Sequence, residues 1–255
     1  MSNDLPQSRI GVLIDADNAQ PAVIEHLLAE IAKYGITSVK RAYGDWTTTR
    51  LRGWKDVLNE HAIQPIQQFS YTTGKNATDS AMIIDAMDLL YSERVQAFCI
   101  VSSDSDFTRL ATRLRESGMV VYGVGEKKTP RPFVNACDKF IYSEILTEEE
   151  EDTDAPEIKP RSKKTTKELR QDTRLVQLLR SAALSAADDD GWSNLSVVGK
   201  YLANQSPDFD PRNYGYPKLG QLIAATQLFD VEDRKSETGA VNRYIRDNRT
   251  KKTQK

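Results

Sequence analysis

The chain has 255 residues, 39% of them hydrophobic and 28% charged, enough for one large domain or for a domain of about 150 residues with a smaller companion. No apolar run nears the ~20 residues of a membrane helix, and the N-terminal stretch MSNDLPQSRIG lacks the pattern of a secretory signal, so a cytoplasmic protein with no membrane partner is expected. The net charge of −2 conceals a split: residues 1–160 hold 17 Lys/Arg against 25 Asp/Glu, whereas residues 161–255 hold 18 against 12, which suits the C-terminal part to a polyanion.

Arg9–Asp15 (RIGVLID) reads as a buried strand ending in a carboxylate, and Pro21 opens an amphipathic helix stopped by Gly35. Strand Ser38–Tyr43, helix Leu51–His61 and strand Gln64–Phe69 follow. Thr78 is a suitable cap for a helix over Asp79–Tyr91, whose buried face is Met82, Ile83, Ala86, Leu89 and Leu90. Ala97–Ser102 is the most apolar strand; helix Phe107–Ser117, strand Met119–Val124, a short helix and strand Lys139–Tyr142 complete the pattern. Such alternation predicts an α/β domain with a mostly parallel sheet, helices on both faces and right-handed crossovers. Cys99, inside the run AFCIV, reads as a reduced core thiol, and His26 and His61 are too isolated for a zinc site.

From Thr147 the periodicity stops. An acidic run, Pro156, Pro160 and a basic run suggest a flexible charged linker over 147–167. Helices return with Leu175–Leu179, with a segment capped by Ser193, and with Tyr216–Leu228; Phe229–Val231 and Ala240–Ile245 suggest a hairpin. The domains are therefore expected at 1–146 and 168–245, with a disordered basic tail over 246–255.

Carboxylates gather where an open α/β sheet binds ligands, at the C-terminal ends of its strands. Asp15 and Asp17 follow the first strand in LIDADN, and Asp104 and Asp106 follow the most apolar strand in VSSDSDF. Asp79 follows the loop TTGKNAT at the start of a helix. A lone Asp after a strand often only caps a helix, but paired acids on two strand ends plus a third on a helix would repel one another unless a cation joined them. Oxygen-only ligands favour Mg²⁺ or Mn²⁺, which can orient water and offset charge on a phosphodiester. Asp85 and Asp88 fall on other faces of the Asp79 helix and are expected to be structural or exposed. A haloacid-dehalogenase-like reading of the DxD motif fails, because Asn18–Ala19 stands where a Thr or Val is required.

The segments IDADN, GKNATDSAMIID and SSDSDF, in that order over about Arg9–Leu146, resemble the NYN domain of the PIN-like nucleases in its LabA-like branch. The resemblance implies a PIN-like fold, a Mg²⁺- or Mn²⁺-dependent ribonuclease, and Asp15, Asp79, Asp104 and Asp106 as metal ligands oriented by Asn18 and Ser103. Ala16–Asp17 departs from the family pattern and leaves the role of Asp17 open. Lys75 and Arg109, with Arg41, Arg50 and Arg113 on adjoining elements, are expected phosphate contacts. The segment NYGYPKLGQLIAATQLFDVED resembles the OST-HTH/LOTUS domain, which implies a small winged-helix-like α+β domain that binds RNA and, in some relatives, protein. Tyr214, Tyr216 and Lys218 are its expected exposed contacts, by stacking and phosphate pairing. The expected function is thus an endoribonuclease with an RNA-recruiting domain; the alternative is a non-catalytic RNA- or protein-binding regulator.

Overall fold

The computed structural model describes residues 8–69, 77–147, 163–235, 239 and 241–249, divided between two compact units that meet in sequence near residue 153. The first unit runs β1 (Arg9–Asp15), α1 (Ile24–Ile31), β2 (Ile36–Gly44), α2 (Trp54–Glu60), β3 (Gln64–Gln67), α3 (Ala77–Tyr91), β4 (Ala97–Val101), α4 (Thr108–Glu116), β5 (Val120–Gly125), α5 (Arg131–Ala136) and β6 (Lys139–Tyr142). The six strands pair in parallel in the order β3-β2-β1-β4-β5-β6.

Every residue of β4 is buried, as is all of β1 after Arg9, because both faces of the sheet are covered. Alternate residues of β1 serve opposite layers. Ile10, Val12 and Ile14 pack with Ile24, Leu27 and Ile31 of α1 and Trp54 of α2. Leu13 packs with Met82, Ala86 and Leu89 of α3 and with Leu110, Leu114 and Phe133 of α4 and α5. Pro21–Val23 forms a 3₁₀ turn before α1, so the Pro21 helix of the sequence reading begins as a tighter coil. Gly118, at φ +83°, ends α4 in the left-handed region that favours glycine. Cys99 and Cys137 are buried free thiols, and burial pushes both pKa values up, that of Cys137 to about 12.

The strand order reverses between β1 and β4. Connections leaving these neighbours run to opposite sides, which opens a crevice at their C-terminal ends. Asp15 ends β1, and Ser102 follows β4 directly.

The second unit runs α6 (Thr166–Gln171), α7 (Thr173–Ser185), β7 (Ser193–Asn194), α8 (Leu195–Gln205), a 3₁₀ turn at Pro211–Tyr214, α9 (Leu219–Thr226), β8 (Phe229–Lys235) and β9 (Val241–Asp247). The strands form an antiparallel sheet in the order β7-β9-β8. This is a small α+β unit built on Leu169, Leu175, Leu179, Val198, Leu202, Leu222, Ile223 and Ile245.

Several boundaries differ from the sequence reading. The Thr165 hydroxyl and the Glu168 carboxylate form a reciprocal capping box at the start of α6, so structure begins inside the stretch expected to be linker. The rest of that stretch, over 148–162, lies outside the described residues. β9 continues through Arg246 and Asp247, where a tail was expected, because pairing with Phe229 and Asp230 extends that far; residues 250–255 of the expected tail lie outside the described residues. Asn194, rather than Ser193, caps α8, its side chain accepting from the Ser196 amide, while Ser193 is buried and donates to the Ala183 carbonyl. Among the described residues no helix is long and apolar enough to cross a membrane.

Candidate metal centre and nucleic-acid interface

Asp15 is the fixed point of the crevice. It is 1% exposed, and its carboxylate accepts from Ser102 Oγ at 2.8 Å, Asn18 Nδ2 at 2.7 Å and the Asp17 amide at 3.2 Å. Burial raises its pKa, opposed by the hydrogen bonds from Asn18 and Ser102. Ser102 Oγ also accepts the Asp104 amide at 3.1 Å, so one hydroxyl ties the end of β1 to the turn after β4. The sequence reading did not single out Ser102. Its signal was only its place between an all-apolar strand and the acids.

Asp104 caps the 3₁₀ turn Ser105–Phe107 by accepting the Asp106 amide at 2.9 Å, and that turn leads directly into α4. Asp79 comes from α3. One carboxylate oxygen from each of Asp79, Asp104 and Asp106 lies within 4.8 Å of the other two. The pKa of Asp79 is pushed up from the ordinary 3.8 to about 6, first by burial and then by the charges of Asp15, Asp104, Asp106 and Asp17 in that order. Like charges thus bear on one position from β1, α3 and the β4 turn, which leaves the cluster short of positive charge. The donors are carboxylate oxygens without Cys or His, a set that fits a hard divalent cation such as Mg²⁺ or Mn²⁺.

The other expected residues divide. Asn18 touches the cluster through Asp15. Ser103 does not: its hydroxyl accepts the Glu126 amide at 2.8 Å and so faces the loop after β5. α3 begins at Ala77, and Thr78 does not cap it; its hydroxyl donates to Asp17 Oδ2 at 3.1 Å, which places Asp17 at the edge of the site with Arg50 3.6 Å away. Arg109 is exposed on α4. Arg41 is not a free phosphate contact, since Asp85 accepts from both Arg41 Nη1 at 2.9 Å and the Tyr43 hydroxyl at 2.8 Å. Asp85 is therefore structural, as its helical position implied. Lys75 lies outside the described residues.

In the second unit, Lys218 is exposed just before α9, and Tyr214 is half-buried with the Lys164 ammonium 5.0 Å over its ring. Tyr216 is a correction: it is only 8% exposed, belongs to the core, and donates its hydroxyl to the Lys164 carbonyl at 2.7 Å. Sequence spacing could not separate a buried tyrosine from an exposed one, because a buried ring needs just one polar partner for its hydroxyl. The aromatic surface missed by sequence reasoning lies on the sheet. The Arg234 guanidinium stacks 4.9 Å from Trp192 and 4.6 Å from Tyr244, and Arg246 stacks 4.6 Å from Trp192. These residues come from β8, from β9 and from the position just before β7, and they meet through the pairing of β9 with both β7 and β8. Glu232 and Asp230 lie against the two arginines and offset part of their charge.

A family model for the NYN domain matches residues 9–145, and one for the OST-HTH/LOTUS domain matches residues 170–241. The first is a PIN-like nuclease group, and the second is an RNA-binding domain. No curated protein matches the chain. Among solved structures, a protein of unknown function from Vibrio parahaemolyticus is 18% identical over 55% of this chain and 94% of its own, with a TM-score of 0.45. An uncharacterized protein from Nitrosomonas europaea is 31% identical over 39% of this chain and 91% of its own, with a TM-score of 0.30. A fragment from Chromobacterium violaceum is 36% identical over 29% of this chain and 78% of its own, with a TM-score of 0.25.

Proposed function

Because the chain belongs to the NYN family and carries an OST-HTH/LOTUS domain after it, we propose that it is a Mg²⁺- or Mn²⁺-dependent endoribonuclease whose second domain recruits or selects RNA. The observation that carries this reading is the convergence of the Asp79, Asp104 and Asp106 carboxylates beside buried Asp15. In this proposal Asp15, Asp79, Asp104 and Asp106 hold the ion. When bound, the ion supplies the positive charge that orients an attacking water and offsets charge on the phosphodiester.

The chain's own residues set the stage for that chemistry. Ser102 and Asn18 fix the Asp15 carboxylate in one orientation. The turn after β4 aims Asp104 and Asp106 at Asp79. The raised pKa of Asp79 reflects burial and the crowding of like charges, which a bound divalent cation would offset. Arg109 and Lys75 are proposed to hold phosphates flanking the cut. In the second domain the role falls to Lys218, Tyr214 and the Trp192–Arg234–Tyr244–Arg246 surface, with Tyr216 as core. The proposed extents are 1–146 for the nuclease and 165–247, from the cap of α6 to the end of β9, for the RNA-binding domain, in a cytoplasmic protein.

The test is cleavage of a mixed RNA pool by the purified chain with Mg²⁺, Mn²⁺ or a chelator. Internal cuts that need the metal are expected. RNA binding without cleavage under any of these conditions would favour the non-catalytic regulator instead.

A further inference from the structure

Beside the carboxylates, at the C-terminal ends of β1, β4, β5 and β6, lies a cavity of about 210 Å³ that the metal chemistry does not use. We propose that it is a nucleobase pocket, which seats the base next to the cleaved phosphodiester and prefers guanine. The placement beside the cut rests on the nuclease reading; the base preference does not.

The position follows from shared walls. Asn18 and Ser102 line the cavity and also bind the Asp15 carboxylate. Ser103, the next lining residue, immediately precedes Asp104. A phosphodiester held at the acids would therefore have its own nucleoside at the cavity mouth. The volume lies below the ~300 Å³ at which pockets for whole drug-sized ligands begin, so one ring system fits better than a complete nucleotide. Val23, Val101 and Val124 line it and supply apolar surface for the faces of a ring.

The floor is built rather than incidental. A Cβ on Gly125 would fall 2.5 Å from the Ser102 carbonyl oxygen and 3.1 Å from Ser103 Oγ, so only glycine lets β5 end this close to β4. That approach seats the Glu126 amide on Ser103 Oγ.

The polar chemistry of the cavity asks for hydrogen-bond donors. Glu126 and Glu144 both line it. Glu126 pairs with Lys128 at 3.0 Å. Glu144 Oε1 accepts the Lys127 amide at 2.8 Å, whereas Glu144 Oε2 is buried without a hydrogen-bond partner. Burial raises the Glu144 pKa and the Glu126 charge adds to it, while hydrogen bonds from its own amide and the Ser143 side chain, and the Lys128 charge, oppose the shift. Incoming N–H groups would relieve the cost that is left. Each carboxylate oxygen can accept more than one bond. Guanine alone presents two adjacent donors, N1–H and the N2 amino group, along its Watson–Crick edge. Adenine and cytosine set a donor beside an acceptor, and uracil sets one donor between two acceptors, so each would bring an oxygen or nitrogen lone pair against the glutamate.

The test is titration of the full chain with guanosine, adenosine, cytidine and uridine by calorimetry in EDTA, which needs neither metal nor cleavage. Guanosine should bind roughly tenfold or more tightly than the others, as two bonds to a charged acceptor imply. Glu144→Gln should bring the four within about twofold, because its amide turns a donor toward N–H. Its melting temperature should hold, since the Gln carbonyl still accepts the Lys127 amide. Gln20→Trp, an exposed position on the rim, should weaken all four. Equal binding of the four nucleosides, no binding at millimolar concentration, or a guanosine preference that survives Glu144→Gln would overturn the pocket. A second arm maps the cuts in an RNA pool. Cuts without guanine beside them would overturn the placement next to the scissile bond, whereas absence of any cut strikes the nuclease reading and leaves the titration to decide the base preference.

Discussion

Replacing Asp79 with Asn should stabilise the metal-free protein near neutral pH and remove a pH dependence that the parent shows. The Asp79 carboxyl has an ordinary pKa of 3.8, raised to about 6 in the folded chain. Between these values the folded state keeps a proton that the unfolded state has lost, so stability falls as pH rises. The loss begins near pH 4, is complete above about pH 6, and is absent below both values. Such a displacement corresponds to about 3 kcal/mol, and partial exposure of the group reduces this to roughly 1–3 kcal/mol. Asn cannot ionise and keeps the shape, so the variant avoids the whole term. Calorimetric melting in EDTA reads it out in the transition of the first unit. At pH 7.5 the variant should melt roughly 3–10 °C above the parent, and at pH 4 the two should nearly coincide. Saturating Mn²⁺ should reverse the order at pH 7.5, since the parent gains a ligand that the variant cannot hold as well. A variant that melts at or below the parent in EDTA at pH 7.5, or a difference unchanged between pH 4 and pH 7.5, would refute the reasoning.

Ser102→Ala removes a buried hydroxyl that donates to Asp15 and accepts from the Asp104 amide; it should cost about 1.5–3 kcal/mol by denaturant melting and slow cleavage as the Asp15 carboxylate loosens. Tyr216→Phe deletes the bond to the Lys164 carbonyl and should cost about 1 kcal/mol while leaving RNA affinity unchanged, and a loss of affinity at equal stability would return Tyr216 to the contact surface. Removing residues 163–255 should weaken RNA binding and flatten its salt dependence but leave metal-dependent cleavage, measured by filter binding across a salt series beside a gel assay; full affinity after truncation would contradict a recruiting role for the second domain.

The sheet was legible because its strands are buried on both faces. RIGVLID and AFCIV are apolar without interruption, and few other local structures produce such short runs between amphipathic helices. The acids were legible because two pairs stand at strand ends, where connection reversal opens a crevice. What stayed hidden depends on side-chain direction and long-range pairing. Ser102 and Ser103 are neighbours of one residue type, yet one bridges Asp15 to Asp104 and the other binds the Glu126 amide on the far side. Asp85 could be placed off the acidic face by helical spacing, but its partners Arg41 and Tyr43 come from β2, a contact that no local pattern encodes. The stacking of Arg234 and Arg246 on Trp192 likewise exists only after β9 has paired with β7 and β8.

The claim that one cation is shared by these carboxylates is tested most directly by comparing the parent with Asp104→Asn in paired measurements of Mn²⁺-dependent melting and RNA cleavage. Asn keeps the size of Asp104 and an oxygen to accept the Asp106 amide, so the variant should melt no lower than the parent in EDTA. With Mn²⁺ the parent should rise by several degrees and cut RNA, whereas Asp104→Asn should gain little and lose most cleavage; Asp88→Asn, exposed on another face of α3, should follow the parent in both. An Asp104→Asn protein that gains the same Mn²⁺ stabilisation and cleaves RNA at the parent's rate would contradict the account.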